Sequence, residues 1–487
     1  MPVEHAPIEI LPAGGLLIGD RRVTDSSGGT HQHIYPATGR GTIDVAMAGP
    51  AEMEDAVASA RAALPGWRTT PVNRRRDLLL RFADLLEREA KDLVRLGTTE
   101  NGAAISKARI HFGASVDQFR YIAGWADKVA GEVHASWPIP GIDYVRAEPY
   151  GVIAIIIPWN APMHIMGATL APALAMGNTI VLKPSEFAPF TATRFGELLL
   201  EAGFPPGVVN VVPATVSASQ ALVRNPGIDK IHFTGSATTA RSILTGALEN
   251  LTPVGLELGG KSARLVFADC DLDAAIADAT SAALSISGQG CLLGTRVMVE
   301  QSIYDEFVSR SVARLESAVV GDPMAADTDM GPVISQMSCE RILGIIDDAA
   351  SNGAGRLATG GKRLGGELSD GFFLQPTLFA DVPNTSYLAR TEIFGPVVSV
   401  MPFESEATAV AMANDNPFGL AGYVHTNDLR RAHRVAGSLN TGVVWVNGFC
   451  FGSSIPFGGV KQSGFGRAGG RQGLDEFSRT KTVWISQ

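Results

Sequence analysis

The stretch that decides the fold runs from residue 152 to residue 258, where VIAIII (152–157), TIVLK (179–183), VVNVV (208–212), KIHFT (230–234) and VGLEL (254–258) follow one another. Each run is short and largely β-branched or apolar, as in a strand covered on both faces. Between them, 165–176, 191–202, 217–224 and 237–248 repeat apolar residues at threes and fours, the helical period. Strand and helix in alternation predict a parallel sheet with helices on both sides. Such sheets take nucleotides outside the C-terminal ends of their strands.

Upstream, residues 50–97 carry apolar positions such as Ala56, Ala60, Leu78, Phe82 and Leu86 at helical spacing and read as a helical lead-in. Residues 131–145 hold Pro138, Pro140 and Gly141, which break helices, so they read as a turn or extended excursion. Downstream, a less regular alternation runs from Arg264 to about Gln462, and 480–486 alternates like an added strand able to pair with another subunit.

A chain of 487 residues is too long for one typical core, so two or three domains are expected. A net charge of -9 offers no basic footprint for a polyphosphate backbone, which argues against nucleic-acid partners. The longest apolar run, VIAIII, is far short of the roughly 20 residues that cross a bilayer. The first ten residues include Glu4 and Glu9 and lack a basic, then apolar, leader pattern, which makes the cytoplasm the expected address. Cys270, Cys291, Cys339 and Cys450 form no CxxC pair, which argues against a disulfide framework and against a zinc site, and no metal is expected.

GFGRAG at 464–469 matches the dinucleotide fingerprint but lacks the strand, helix and following acidic residue that give the pattern meaning. FTGS at 233–236 sits where a strand ends and a helix begins. Gly235 and Ser236 there suit a pyrophosphate, and Ser236 equally suits an N-cap. KPSE at 183–186 puts Lys183, Ser185 and Glu186 at a strand's C-terminal edge, where an acidic group reads ribose hydroxyls and the alternative is a solvated charged turn. GQGC at 288–291 surrounds a thiol with exposed backbone, which suits a nucleophile better than a packed cysteine.

With PWN at 158–160, LELGGK at 256–261, EIFGP at 392–396 and PFGG at 456–459, that window resembles the aldehyde dehydrogenase superfamily over nearly the whole chain. The resemblance implies a Rossmann-type nucleotide-binding domain (1–127 and 148–259), an α/β catalytic domain (260–465) and a small β oligomerisation arm (128–147 and 470–487). It further implies NAD, or NADP, as cofactor and a homodimer or homotetramer. Cys291 would attack the aldehyde, Asn160 and the Cys291 N–H would hold the oxyanion, and Glu257 would activate the water that hydrolyses the thioester. By the same analogy Glu392 would hold the nicotinamide ribose and Phe394 would pack beside the nicotinamide. Trp159 would give a backbone contact, and Lys183 with Glu186 would bind the adenosine ribose.

Three positions depart from the common pattern: Ala240 in the phosphate helix, Ile286 in place of an asparagine, and Ala468 in place of a glutamate proposed as a proton relay. By the same resemblance the pocket-lining positions would be Ala161, His164, Ile165, Ala168, Gly290, Leu292, Phe449, Phe451 and Phe457. Small alanines among phenylalanines imply a roomy, mainly apolar tunnel for a bulky apolar or aromatic aldehyde. The absence of arginine among them argues against carboxylated semialdehydes. His164 reads either as a donor to a substrate hydroxyl or as a structural histidine. Glu257 favours hydrolysis over transfer to coenzyme A, and the rival from another class is a fold retained for structural use without activity.

Overall fold

A computed structural model describes residues 8–11 and 14–486. The five runs form the strands Val152–Ile156, Thr179–Lys183, Val209–Val211, Lys230–Gly235 and Val254–Leu258, all parallel to their neighbours in this set. The helices Pro162–Ala175, Phe190–Ala202, Val216–Arg224 and Ala237–Ala247 fall where the periodicity placed them. The first begins three residues early because Pro162, with its fixed φ and missing N–H, suits the opening helical turn.

In the sheet Val152–Ile156 lies between Thr179–Lys183 on one side and Lys230–Gly235 on the other. The chain winds outward through Val209–Val211, then crosses back to Lys230–Gly235, so strand order reverses between these two central strands. A crevice opens at the C-terminal ends on either side of such a reversal. Here Pro158, Trp159 and Asn160 leave one strand, and Ser236 leaves the other.

Three antiparallel strands complete the sheet. Leu16–Ile18 and Arg21–Val23 extend one edge, and Gly464–Phe465 covers the other by pairing with Val254–Leu258. GFGRAG therefore closes a sheet edge rather than opening a nucleotide-binding turn.

The lead-in resolves into the helices Pro50–Thr69, Val72–Arg88 and Ala90–Asn101, followed by Ile105–Ala123. Gly102, left-handed at φ 75°, separates the last two. The second alternation becomes a seven-stranded sheet in which Ala263–Val266 lies beside Arg296–Glu300 and Ala421–His425, in parallel with both. The helix Leu272–Leu284 packs against this sheet and leads to Cys291.

The excursion is a hairpin of Glu132–His134 and Gly141–Pro149. The tail strand Ser478–Ser486 pairs along the whole of Gly141–Pro149, in register from Ser478↔Pro149 to Ser486↔Gly141. The tail is an added strand, as expected; within the chain it pairs with Gly141–Pro149 and forms the outer edge of the three-stranded sheet. Nine continuous residue pairs are available at home, and buried Glu148 draws in Lys481, Arg146 and Arg68 to fix the register.

Candidate active site

Cys291 lies just beyond a 3-10 turn, Ser285–Gly288, whose last three residues are left-handed: Ile286 at φ 42°, Ser287 at 56° and Gly288 at 71°. A β-branched residue is strained there and persists only where its surroundings hold it. Ser287 Oγ donates to the carbonyls of Gly331 and Pro332 at 2.8 and 3.0 Å. Gln289 Nε2 donates to Ile286 O at 3.0 Å, while Gln289 Oε1 accepts from Ile334 N at 3.0 Å. Any Cβ on Gly288 would collide with the carbonyl of Gly395. Gly288 therefore satisfies two demands that no other residue meets.

Asn160 is buried and donates one amide hydrogen from Nδ2 to Gln289 O at 2.9 Å. Its segment is tied from below by Asn101 Nδ2, which donates to Trp159 O at 3.1 Å. A primary amide has two hydrogens, so a second remains to serve the cavity that Asn160 lines.

Glu257 projects near the end of Val254–Leu258 with both carboxylate oxygens buried and without hydrogen-bond partners among the described residues. Burial raises its pKa well above the ordinary carboxylate value, Arg467 opposes the rise and Glu476 adds to it. Burial pushes the Cys291 thiol up to about 12, with Glu392 and Glu257 adding to the effect. Glu392 Oε1 accepts from Gly260 N at 3.1 Å, and burial raises its pKa to about 7. Two neighbouring carboxyls thus oppose formation of the thiolate, and a cation bound nearby would favour it.

At the nucleotide edge, Lys183 Nζ lies 3.6 Å from Glu186 Oε2, and Ser185 Oγ donates to Glu186 Oε2 at 3.4 Å. Ser236 Oγ accepts from Thr239 N at 3.2 Å, so Ser236 is the helix cap that one of the two readings proposed. That cap leaves the positive end of the helix facing the strand termini, where a pyrophosphate is stabilised. Gly235 has no side chain to obstruct the approach. The Trp159 and Phe394 rings meet edge to face at 5.5 Å, with Phe394 left-handed at φ 53°. These residues fit a dinucleotide: one cation and one carboxylate at the strand edge, a capped helix N-terminus at the chain reversal, and the Trp159–Phe394 aromatic pair.

A cavity of about 310 Å³ gathers Asn160, Glu257 and Cys291, and every expected pocket position lines it, from Ala161 and His164 through Phe449, Phe451 and Phe457. His164 sits 4.7 Å from the Phe451 ring and 6.4 Å from His111, and burial lowers His164 to about 4 and His111 to about 3, so both are neutral.

The cavity also holds a cation that none of those positions supplies. An arginine lines this cavity: Arg264, from Ala263–Val266, together with Asp278, Tyr423 and, elsewhere on the wall, Lys107. Arg264 lies outside the motifs, and its guanidinium stacks on Tyr423, 4.3 Å from the ring centre. Its signal in the sequence was a charge inside an otherwise apolar strand, where charges are rarely buried without a partner or a task.

Fold and site define a nucleotide-dependent α/β oxidoreductase. The sequence profile of the aldehyde dehydrogenase family matches residues 23–483. Mitochondrial aldehyde dehydrogenase of Leishmania tarentolae is 42% identical, covering 96% of this chain and 94% of that protein. Human retinal dehydrogenase 2 is 40% identical over 96% of this chain and 91% of its own length. The crystal structure of Staphylococcus aureus betaine aldehyde dehydrogenase in complex with NAD+ superposes with a TM-score of 0.96 at 34% identity, covering 99% of this chain and 97% of that one. The chain belongs to the aldehyde dehydrogenase family and is an NAD(P)-dependent enzyme that oxidises aldehydes. Among the described residues no helix is long and apolar enough to cross a membrane.

Proposed function

We propose that Cys291 carries the aldehyde through a covalent thioester that water hydrolyses to the carboxylic acid. The observation that carries this reading is the convergence of Cys291, Asn160 and Glu257 on one cavity, with Asn160 held at 2.9 Å by the backbone of the cysteine loop. Cys291 Sγ attacks the carbonyl carbon, and the resulting oxyanion accepts from the second Asn160 amide hydrogen and the Cys291 N–H. The bound dinucleotide supplies the hydride acceptor. Glu257, ionised above its raised pKa, takes a proton from the water that attacks the thioester. A base in this position favours hydrolysis over transfer to coenzyme A.

Glu186 stands at the strand edge expected to hold the adenosine ribose. A carboxylate there repels a 2′-phosphate, and pairing with Lys183 softens that repulsion, so NAD is preferred to NADP. Phe449, Phe451 and Trp445 beside Ala161 and Ala168 suit a bulky or aromatic aldehyde, and the name of human retinal dehydrogenase 2 points to a bulky substrate in a relative. The expected setting is a homo-oligomer in the cytoplasm, although two relatives carry mitochondrial names.

Initial rates of NADH formation over small, acidic, aromatic and long-chain aldehydes test the reading, with Cys291→Ala as control and coenzyme A present or absent. Turnover of bulky aldehydes without coenzyme A, lost in Cys291→Ala and with a lower KM for NAD than for NADP, is the expected result. Turnover only with coenzyme A, or higher kcat/KM for succinic semialdehyde than for benzaldehyde, would overturn it.

A further inference from the structure

We propose that Arg264 and Asp278 form a subsite on the cavity wall that receives a hydroxyl group of the substrate. The inference rests on aromatic aldehyde oxidation as argued above and names the substituent that the site selects.

Arg264 is 4% exposed, and the part of it that is not enclosed by protein faces the cavity. Its Nη1 donates to His425 Nε2 at 2.7 Å. An arginine has no acceptor, so His425 must accept at Nε2 and is neutral, in keeping with a pKa lowered to about 3 by burial and the adjacent cation. Beyond that bond, Arg264 Nε is buried without a partner, and Nη2 makes no hydrogen bond among the described residues. Leaving donors of a buried guanidinium unmatched is unfavourable. Tyr423 does not satisfy them: it offers its ring face, and its hydroxyl donates to Leu292 O at 3.0 Å, one residue from the nucleophile.

Charge decides which ligand matches these donors. Asp278 Oδ2 lies 3.6 Å from Arg264 Nη1 and lines the same cavity from the helix Leu272–Leu284, one turn before Ser281. The pair is neutral overall, so a substrate carboxylate would gain Arg264 and be repelled by Asp278. A hydroxyl accepts from the guanidinium and donates to the carboxylate, satisfying both. Room exists for it because Ser281 and Ser285 are small on the same wall.

The test compares kcat/KM for benzaldehyde, the three hydroxybenzaldehydes and carboxybenzaldehydes in the wild type, Arg264→Met and Asp278→Asn. In the wild type at least one hydroxybenzaldehyde is expected to exceed both benzaldehyde and its carboxy analogue by about 10-fold or more, because a site built to bond a hydroxyl discriminates strongly. Arg264→Met should abolish that ratio, lowering kcat/KM for the favoured hydroxybenzaldehyde about 10-fold more than for benzaldehyde, while Asp278→Asn, at a partly exposed position, should raise carboxybenzaldehyde turnover about 10-fold by uncovering the cation. Equal losses on benzaldehyde and hydroxybenzaldehydes in Arg264→Met, or a carboxybenzaldehyde preference in the wild type, would overturn the inference while leaving aromatic aldehyde oxidation standing. A wild type that oxidises other aldehydes but no benzaldehyde would overturn the substrate reading and this subsite with it.

Discussion

Burial favours the uncharged form of Glu257, yet its proposed task requires the ionised form. The sign of the resulting pH dependence follows directly. A carboxylate base with a raised pKa is less ionised at a given pH than an ordinary one, and its active fraction grows as pH rises through that value. Where deacylation limits turnover, kcat is expected to climb with pH, its midpoint above that of an ordinary carboxylate, and Glu257→Gln should flatten the climb while preserving a stoichiometric burst of NADH. Stopped-flow traces across pH check this, and a flat wild-type profile would remove Glu257 from the hydrolytic step. At this scale the motif residues were legible because chemistry constrains their type, and the sequence placed Cys291, Asn160 and Glu257 on one cavity. Arg264, Asp278 and Tyr423 were not legible, because their meeting depends on packing between Ala263–Val266, Leu272–Leu284 and Ala421–His425. No local pattern encodes that packing.

The strands of the nucleotide sheet could be read to within a residue or two because burial on both faces demands apolar side chains at almost every position. The edge strands Leu16–Ile18 and Gly464–Phe465 escaped detection, being too short to show a period and rich in glycine nearby. The turn before Cys291 was harder still. Ile286 carries a side chain that disfavours its own backbone angle, so only tertiary contacts explain the conformation. Gly288→Ala is expected to combine strain at φ 71° with a collision against Gly395 O, displacing the loop that anchors Asn160. We expect kcat to fall by about 10² or more, as when an oxyanion donor is lost. Melting temperature should fall only modestly, since the helix and strand on either side keep their own cores. Activity within twofold of wild type would show that the turn is softer than its contacts imply.

Across the whole molecule the three-stranded arm stands out for what it leaves uncovered. Val133 is 81% exposed and Trp137 88%, and Ile139, Ile142, Trp484 and Ile485 are also exposed. A cluster of this kind marks a surface intended for a partner, and a second copy of the chain is the expected one. Removing residues 478–487 should uncover the edge of Gly141–Pro149 and reduce the particle mass measured by light scattering to that of a monomer, or to aggregates. A wild-type monomer at micromolar concentration would contradict the assembly. The arm's strands were half legible: alternation announced the tail, while its home pairing depended on the hairpin 132–149 lying within reach.

The antiparallel strand Gly464–Phe465 has a consequence for how the protein is made. It lies against Val254–Leu258, the strand that carries Glu257, yet the ribosome delivers it only after the entire second sheet has been synthesised. Throughout that interval the nascent nucleotide sheet presents a bare edge, the kind of surface that recruits unrelated strands. Slow codons or a pause within the catalytic segment would lengthen this exposure, so yield in a cell should depend on translation speed there more than on the stability of the finished enzyme.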